Sequence, residues 1–536
     1  MTSEQRSIYP DSLYLHPVTA DEIVDIISGM KSNSASGPDN IGPKIYKVTK
    51  VCIAGPLAHL INLSFSFGVF PDYLKIATVV PIFKSGSKTN ISNFRPISLL
   101  NTISKIYESA MKSRLNSFLE THNLLSPSQF GFRQGRGTND AILNLTKLIT
   151  TSVDDNKKCL AIFLDLAKAF DTVSHKILLA KLWNIGVRGV AMQWFESYFR
   201  NRKQSVRLGN VNSSFANVTY GVPQGTVLAP LLFLVYVNSL CNLSIRGTII
   251  SFADDTAIVW ACDTWEEVYD LAAREMEIVK THLDRLLLSL NVTKTNLMAF
   301  STSRLPDPFL HSLIIHTCND PLLCSCTAIP LSDTVKYLGI LLDSKLSWKN
   351  HIFHLKKKLR KYVYLFKELS HLLDRKCVLQ AYFSLCQSIL LYGNLGWGGT
   401  HKTTLQGLMT TQKLILKIIL NKPRRYPSSE LFSEAGVLDA RQLYVKSVLV
   451  HFKQHPEQAH LRTHDHNTRA RSLCLPPRMN KRFGQRHYVF LGSKFNNALP
   501  LEIKIINSIS KFKKSVHGWL RGLGNEGTEH LFEIIV

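Results

Sequence analysis

The stretch "GTIISFADDTAIVWA", residues 247–261, sets Asp254 and Asp255 side by side between two apolar runs. Like charges repel and aspartate disfavours strands, so an adjacent pair there needs a cation, a shared proton or open water. A third acid, Asp165, closes the apolar run 160–164 in "CLAIFLDLAKAFD". If the two strands are neighbours, three carboxylates converge, and hard oxygen ligands of that charge select Mg²⁺ or Mn²⁺. Two such ions about 3.5–4 Å apart activate an attacking hydroxyl and stabilise the leaving oxygen of an in-line phosphoryl displacement. The competing chemistry is an acid–base carboxylate pair of the glycosidase kind; it explains neither adjacent aspartates nor the charge of this chain. A second pair, Asp154-Asp155 in "TSVDDNKK", sits among polar residues and lysines and predicts a solvated turn.

Such a site needs elements to hold it. Apolar residues before Asp254 and after Asp255 predict two short strands, with Asp-Asp-Thr as the tight turn of their hairpin. Residues 18–31 form an amphipathic helix opened by Thr19 or Asp21. A Gly/Pro/Asn turn region and another helix follow, and residues 71–100 predict strand, polar loop, strand. Periodicity places helices at about 101–122 and about 138–151, with the Gly-rich "QFGFRQGRGT" between them. Residues 171–174 cap a helix that runs through Trp183, "QSVRLGNVNSSFANVTYGVPQG" is a hairpin ending in a tight turn, and "VLAPLLFLVYVNSL" leads into the Asp254 hairpin. Strands and helices interleave without strict alternation, which argues an α+β core. Beyond about residue 345 the chain turns helical: Leu355, Leu359, Tyr362, Phe366 and Leu369 make one apolar stripe, with lysines and Arg360 on the other faces.

The 536 residues allow several domains, and 45% hydrophobic content is that of a globular protein. Lys+Arg 64 against Asp+Glu 39 gives +25, which favours a polyanionic partner, nucleic acid before membrane. Ten scattered cysteines look like reduced core residues rather than a disulfide framework. The group His311, His316, Cys318, Cys324 and Cys326 lacks the paired spacing of zinc sites and reads as incidental. The N-terminus has no signal pattern, and the apolar run 227–237 is too short to span a bilayer and contains a proline. These features predict an intracellular chain of nucleus or cytoplasm with no membrane partner. They leave its oligomeric state open.

"FLDLAKAFDTVSHKILLAKL", "YGVPQGTVLAPLLFLVYVNSL", "FADDT", "LNVTKTNLMAF" and "KYLGILLD" occur in the order of the reverse transcriptase motifs. "SASGPDNIGPKIYK", "VVPIFKSG" with "NFRPISLLNTISKIYE", and "QFGFRQGRGT" resemble the upstream blocks of non-LTR, LINE-type retrotransposon enzymes, jockey-like among them. The resemblance covers residues 30–345 in unbroken order. It implies a right-hand polymerase with fingers and palm at 30–343 after an N-terminal extension 1–29, a helical thumb at 344–420, and a mainly helical basic region at 421–536. It implies extension of a DNA 3′-OH on an RNA template, with template RNA, a DNA primer or target site and dNTPs as partners and two Mg²⁺, or Mn²⁺, as cofactors.

Residue by residue, Asp165, Asp254 and Asp255 match the metal-binding aspartates, with the Leu166 carbonyl as a further ligand. Phe170 falls at the steric gate that crowds a sugar 2′-OH, or else packs on the following helix; as a gate it disfavours a third reading, an RNA-dependent RNA polymerase. Gln224 matches the residue lining the incoming nucleotide, in a turn that needs Pro and Gly anyway. Lys84 and Arg95 lie where such enzymes grip the triphosphate, or are exposed strand charges. Lys294 is similar to the lysine that protonates departing pyrophosphate, against a plain surface lysine. Gly339 resembles the primer-grip turn. The chain departs from the family at Ala167 and Thr226, where Ser is usual, and at Ala229, where Gly is usual and a methyl could crowd a close approach. No endonuclease fits ahead of residue 30, so the chain is not expected to nick its own target. The runner-up is a catalytically decayed, RNA-binding remnant of such an element. The acid-free stretch 466–501, with Arg469, Arg471, Arg478, Lys481, Arg482, Arg486 and Lys494 among Phe483, Tyr488, Phe490 and Phe495, suits either a single-stranded RNA surface or a small packed domain.

Overall fold

The computed structural model describes residues 8–301, 313–315, 326–458, 460–461 and 473–533. Helices α1 (Ala20–Gly29) and α2 (Pro43–Phe67) lead to the hairpin β1 (Ile76–Phe83) and β2 (Phe94–Leu99), then α3 (Thr102–Thr121) and α4 (Thr138–Asp154). β3 (Lys158–Leu164) precedes α5 (His175–Asn184), α6 (Gly189–Phe199), β4 (Lys203–Leu208), the short β5 (Val211–Asn212) and β6 (Ala216–Asn217), and α7 (Ala229–Val237). The hairpin β7 (Thr248–Phe252) and β8 (Asp255–Cys262) is followed by α8 (Trp265–Arg285), β9 (Asn296–Phe300), β10 (Thr334–Tyr337) and β11 (Ile340–Asp343). The rest is mainly helical: α9 (Lys349–Leu372), α10 (Arg375–Tyr382), α11 (Ser388–Leu391), α12 (Asn394–Trp397), α13 (Lys402–Ile419), α14 (Ser428–Ala435) and α15 (Ala440–Gln454). After β12 (His460–Leu461) and β13 (Cys474–Leu475) come α16 (Tyr488–Ala498), α17 (Leu501–Lys504) and α18 (Ile509–Glu533).

The architecture is α+β up to β11 and mainly helical beyond it, as the sequence predicts. A central antiparallel sheet has the order β7-β8-β3-β9, and a second sheet runs β2-β1-β4-β5 with β6 on β4. β3 reads as an unbroken apolar run because both of its faces are covered. Leu160, Ile162 and Leu164 belong to one core with α5–α8, while Cys159, Ala161 and Phe163 belong to a second core that continues through α4 and α9 to Leu531. That second core crosses residue 420 without interruption: Ile415, Leu431, Tyr444, Phe495 and Leu520 are all part of it.

One sequence expectation is overturned, one feature went unregistered, and one open alternative is decided. Asp154 is not solvated: it is 1% exposed at the end of α4, while Asp155 beside it is exposed. Its carboxylate accepts the backbone N–H groups of Asn480 and Lys481 at 2.6 and 2.8 Å, anchoring the C-terminal region to the first half of the chain. A Cβ at Gly484 would stand 2.6 Å from Asp154 Oδ1, so only glycine lets the segment approach so closely. Second, α2 is long and apolar enough by length and composition to cross a membrane, which the sequence reading did not register. Here it carries Lys44, Lys47 and Lys50 in its first turns and buries Leu57, Ile61 and Phe65 against its neighbours. Third, the rings of the acid-free stretch face inward: Tyr488, Phe490 and Phe495 are core, and Phe483 packs against it. Arg469, Arg471 and most of the His/Cys group (His311, His316, Cys318, Cys324) lie outside the described residues.

Candidate functional site

The register of β3 and β8 sets Leu164 opposite Thr256, so Asp165, one residue past β3, falls at the rung of Asp255. On the other side Phe252 pairs with Asp255, leaving Ala253 and Asp254 as a two-residue turn. The turn is therefore Ala253-Asp254, one residue earlier than expected, and Asp255 already belongs to the ladder. A two-residue loop needs a positive φ, and Ala253 takes it at +58°. A non-glycine there costs about 1–2 kcal/mol.

Gln129 offsets that cost. Its buried Oε1 accepts the N–H groups of Ala253 and Gly131, each at 2.9 Å, and its Nε2 donates to Ser251 Oγ at 3.1 Å. A Cβ on Gly131 would lie 2.6 Å from the Ala253 nitrogen, which fixes glycine at this position of "QFGFR". The sequence of this block carries no sign of that job, because a polar side chain bonding backbone across more than a hundred residues leaves no periodic trace. Gln129→Ala is expected to lower stability by about 2 kcal/mol, the cost of stranding buried donors. Urea denaturation should show a lower midpoint at unchanged slope, and a midpoint equal to wild type would remove Gln129 from this role.

The aspartates share one field. Burial against surrounding protein pushes Asp255 up to about 6, with the charges of Asp254 and Asp165 adding to the shift and Lys84 and Arg95 opposing it. Asp254 is raised too, chiefly by desolvation, with Asp165 adding and Arg95 and Lys84 opposing. Each residue as a whole keeps an exposed side, so the desolvation is partial. Lys84 and Arg95 come from the β1–β2 hairpin, where Ile82 pairs with Arg95 and the Lys84 N–H donates to Asn93 O at 2.8 Å. That register puts both cations on one face of the hairpin. Lys84, Arg95, Asp165, Asp254 and Asp255 thus lie within electrostatic reach of one another.

The Asp165 backbone is fixed by the loop after α8. Its carbonyl accepts from the Asn291 N–H at 2.8 Å, and its N–H donates to Thr295 Oγ1 at 3.3 Å. No hydrogen bond reaches the Leu166 carbonyl among the described residues. Three carboxylates and one unengaged carbonyl are a hard oxygen donor set that fits Mg²⁺ or Mn²⁺. Among the described residues no three acidic, His or Cys side chains close into a cage by themselves. Mg²⁺ ordinarily takes only one or two carboxylates, and substrate phosphates and water complete its shell.

Phe170 and Gln224 meet on the next turns. The Phe170 carbonyl accepts from Val222 N–H at 2.9 Å, and its half-buried ring stacks on Phe233 of α7 with centroids 4.4 Å apart. Gln224 O accepts from the Ser98 N–H at 2.7 Å, tying the turn to β2, and Gln224 Nε2 donates to Asp171 Oδ1 at 3.0 Å. Glu108, another residue the sequence reading missed, is fully buried beneath this turn. It accepts the Val227 and Leu228 N–H groups and the Tyr198 hydroxyl, at 2.6, 3.3 and 3.1 Å. Thr226 keeps the hydroxyl that the usual Ser would supply, and its Oγ1 accepts from Ala229 N–H at 3.1 Å. Lys294 lies on the Asn291 loop with its side chain exposed, and no hydrogen bond or ion pair joins it to the aspartates among the described residues. Gly339, with φ +84°, turns β10 into β11 beneath Tyr392. The Tyr337 hydroxyl on that hairpin is raised by burial and by the charge of Asp255, so the hairpin borders the acidic cluster.

The model of the reverse transcriptase (RNA-dependent DNA polymerase) family matches residues 84–342, a span that holds Lys84, Arg95, the three aspartates and Gly339. The chain is 28% identical over 498 residues to a probable RNA-directed DNA polymerase from transposon BS of Drosophila melanogaster, covering 89% of this chain and 52% of the relative. It is 26% identical to that of the X-element of the same species, covering 88% and 50%. With the RNA-directed DNA polymerase of the mobile element jockey it shares 25% identity, covering 77% and 45%. The chain spans about half the length of the curated relatives it matches.

Proposed function

From the premise that this chain carries a reverse transcriptase region of the non-LTR retrotransposon kind, we propose that it extends a DNA 3′-OH on an RNA template. The observation that carries the reading is the pairing of β3 with β8, which brings Asp165 to the rung of Asp255 while Lys84 and Arg95 oppose their charge. In this reading the chain is a right-hand polymerase with fingers and palm over 30–343 and a thumb over 344–420. Asp165, Asp254, Asp255 and the Leu166 carbonyl hold the divalent cations, which supply Lewis-acid stabilisation of charge on the reacting phosphate.

The chain's own residues do the rest. Lys84 and Arg95, on one exposed face of a hairpin, neutralise the triphosphate and orient it toward the aspartates. Gln224, held to β2 through its own carbonyl, lines the nucleotide's sugar side together with Phe170. Lys294 reaches from the loop that fixes the Asp165 backbone and delivers a proton to the departing pyrophosphate. Gly339 turns the backbone that supports the primer end. Template and primer are held through phosphate contacts by a chain of net charge +25.

Primer extension with dTTP and Mg²⁺ on poly(rA)/oligo(dT) tests the reading directly. Templated extension supports it, and its absence in folded protein returns the chain to an RNA-binding remnant. Phe170→Ala tests the gate. With the ring stacked on Phe233 removed, the rNTP/dNTP ratio of kcat/KM is expected to rise at least about tenfold, the effect of losing one steric contact of about 1.4 kcal/mol. An unchanged ratio assigns Phe170 to packing against α7.

A further inference from the structure

Away from the aspartates, a cavity of about 260 Å³ opens where α4, the loop after β11, the end of α12 and the segment 482–487 meet. Three helices begin at its wall: α9 after Trp348, α13 after His401 and α16 after His487. None of the three has a side-chain cap. The N-terminal ends of three helices, with the positive ends of their dipoles, therefore border one space.

The side chains carry the same sign. Lys345, Lys349, Arg482 and Arg486 line the cavity, and none of them forms an ion pair among the described residues. Among the described residues no carboxylate lines it. Neighbouring acids are committed elsewhere: Asp343 accepts the N–H groups of Lys345, Ser347 and Trp348, Asp154 accepts those of Asn480 and Lys481, and Glu529 pairs with Arg441. Burial and the neighbouring Arg441 charge hold Arg486 below the usual guanidinium range, with Glu529 opposing. His487 supplies an independent sign of a missing ligand. It lines the cavity, is 7% exposed, and neither ring nitrogen has a partner among the described residues. A buried, unpartnered imidazole is costly unless something occupies the space it faces.

The geometry points to a phosphate site: this cavity holds a phosphate group of a single-stranded RNA that runs over the C-terminal region, outside the catalytic cluster. Uncapped helix N-termini with flanking cations are the recurrent chemistry of phosphate recognition. The volume, roughly that of nine waters at about 30 Å³ each, admits one such group with part of its hydration. The site joins the body of the chain to its C-terminal region, since Asp154 at the end of α4 anchors residues 480 and 481 beside it. This inference rests on the polymerase reading for the identity of the strand, not for the chemistry of the cavity.

The test measures anisotropy of labelled single-stranded RNA with the full chain, as wild type, Lys349→Gln, Arg486→Gln and the double variant. Each lost phosphate contact should lower the log–log salt slope by about 0.7, with a severalfold weaker Kd. Thermal midpoints in inorganic phosphate are read alongside; wild type should be stabilised and the double variant should not. Stabilisation by phosphate with an unchanged RNA slope would overturn the strand in favour of a free phosphate ligand. No change in either would overturn the site. Lys345→Gln, whose exposed side chain leaves the core untouched, repeats the measurement if Arg486→Gln melts early. Extension of a short preformed primer–template is measured separately, so failure of the polymerase reading shows in a different assay.

Discussion

Asp165→Asn and Asp254→Asn should each cut single-turnover dNTP incorporation about a thousandfold or more, while binding of the primer–template duplex stays near wild type. Asparagine keeps the shape of the side chain and removes the charge. In the reading proposed here it also removes a ligand from cations that stabilise the transferring phosphate by several kcal/mol, and about 4 kcal/mol already corresponds to a thousandfold in rate. Protein folding should not suffer. Asp254 and Asp255 repel each other and are held above the usual carboxylate range in the metal-free chain, so a neutral isostere relieves strain there. A melting midpoint equal to or above wild type, together with lost activity, separates a chemical defect from a structural one. Near-normal incorporation in either variant would remove the aspartate from the mechanism. Mg²⁺ should raise the wild-type midpoint and leave that of the double variant unmoved, a readout independent of turnover.

Removal of residues 421–536 has the other large expected effect, and it is on folding. The second core draws on Leu431, Val445, Leu491, Phe495, Val516 and Leu520, all beyond the cut and all fully buried. Each buried side chain contributes about 1.5–3 kcal/mol relative to exposure. Six of them approach or exceed the whole 5–15 kcal/mol that holds an ordinary domain together. The truncated chain should be insoluble or lack a cooperative transition by circular dichroism. A truncated chain that melts cooperatively near the wild-type midpoint would show that the first 420 residues fold by themselves.

The acidic cluster was legible because its supports are apolar and periodic. Alternation around Asp254, and the unbroken run before Asp165, mark strands whatever the tertiary context. Helix boundaries at Thr19 and Ser174 were legible for the same local reason: each is an oxygen-bearing cap whose partner lies three residues on. What escaped were buried polar groups that act on distant backbone. Glu108 and Gln129 each satisfy N–H groups more than a hundred positions away, and their neighbours in sequence give no hint of it. Asp154 misled for a related reason. Its flanks, Asp155, Asn156 and Lys157, are exposed, and only the folded C-terminal segment reveals that the carboxylate is taken. The aromatics of the acid-free stretch could not be assigned from composition, since rings that stack on bases and rings that fill a core look alike in one dimension.

The two-faced central sheet also sets a timetable for synthesis. Its last strand, β9, ends at Phe300, whereas the second core draws its final side chains from α18. About 230 residues lie between Phe300 and Leu531, and at ~5–20 residues per second a ribosome needs roughly 10–50 s to produce them. Through most of that interval, once Ile329 has completed the first core, the nascent chain holds a sheet with one face packed and the core on its other face unfinished. Chaperone capture should concentrate in this window, and a ribosome stalled within it would display the acidic cluster with its strands made and its foundation missing.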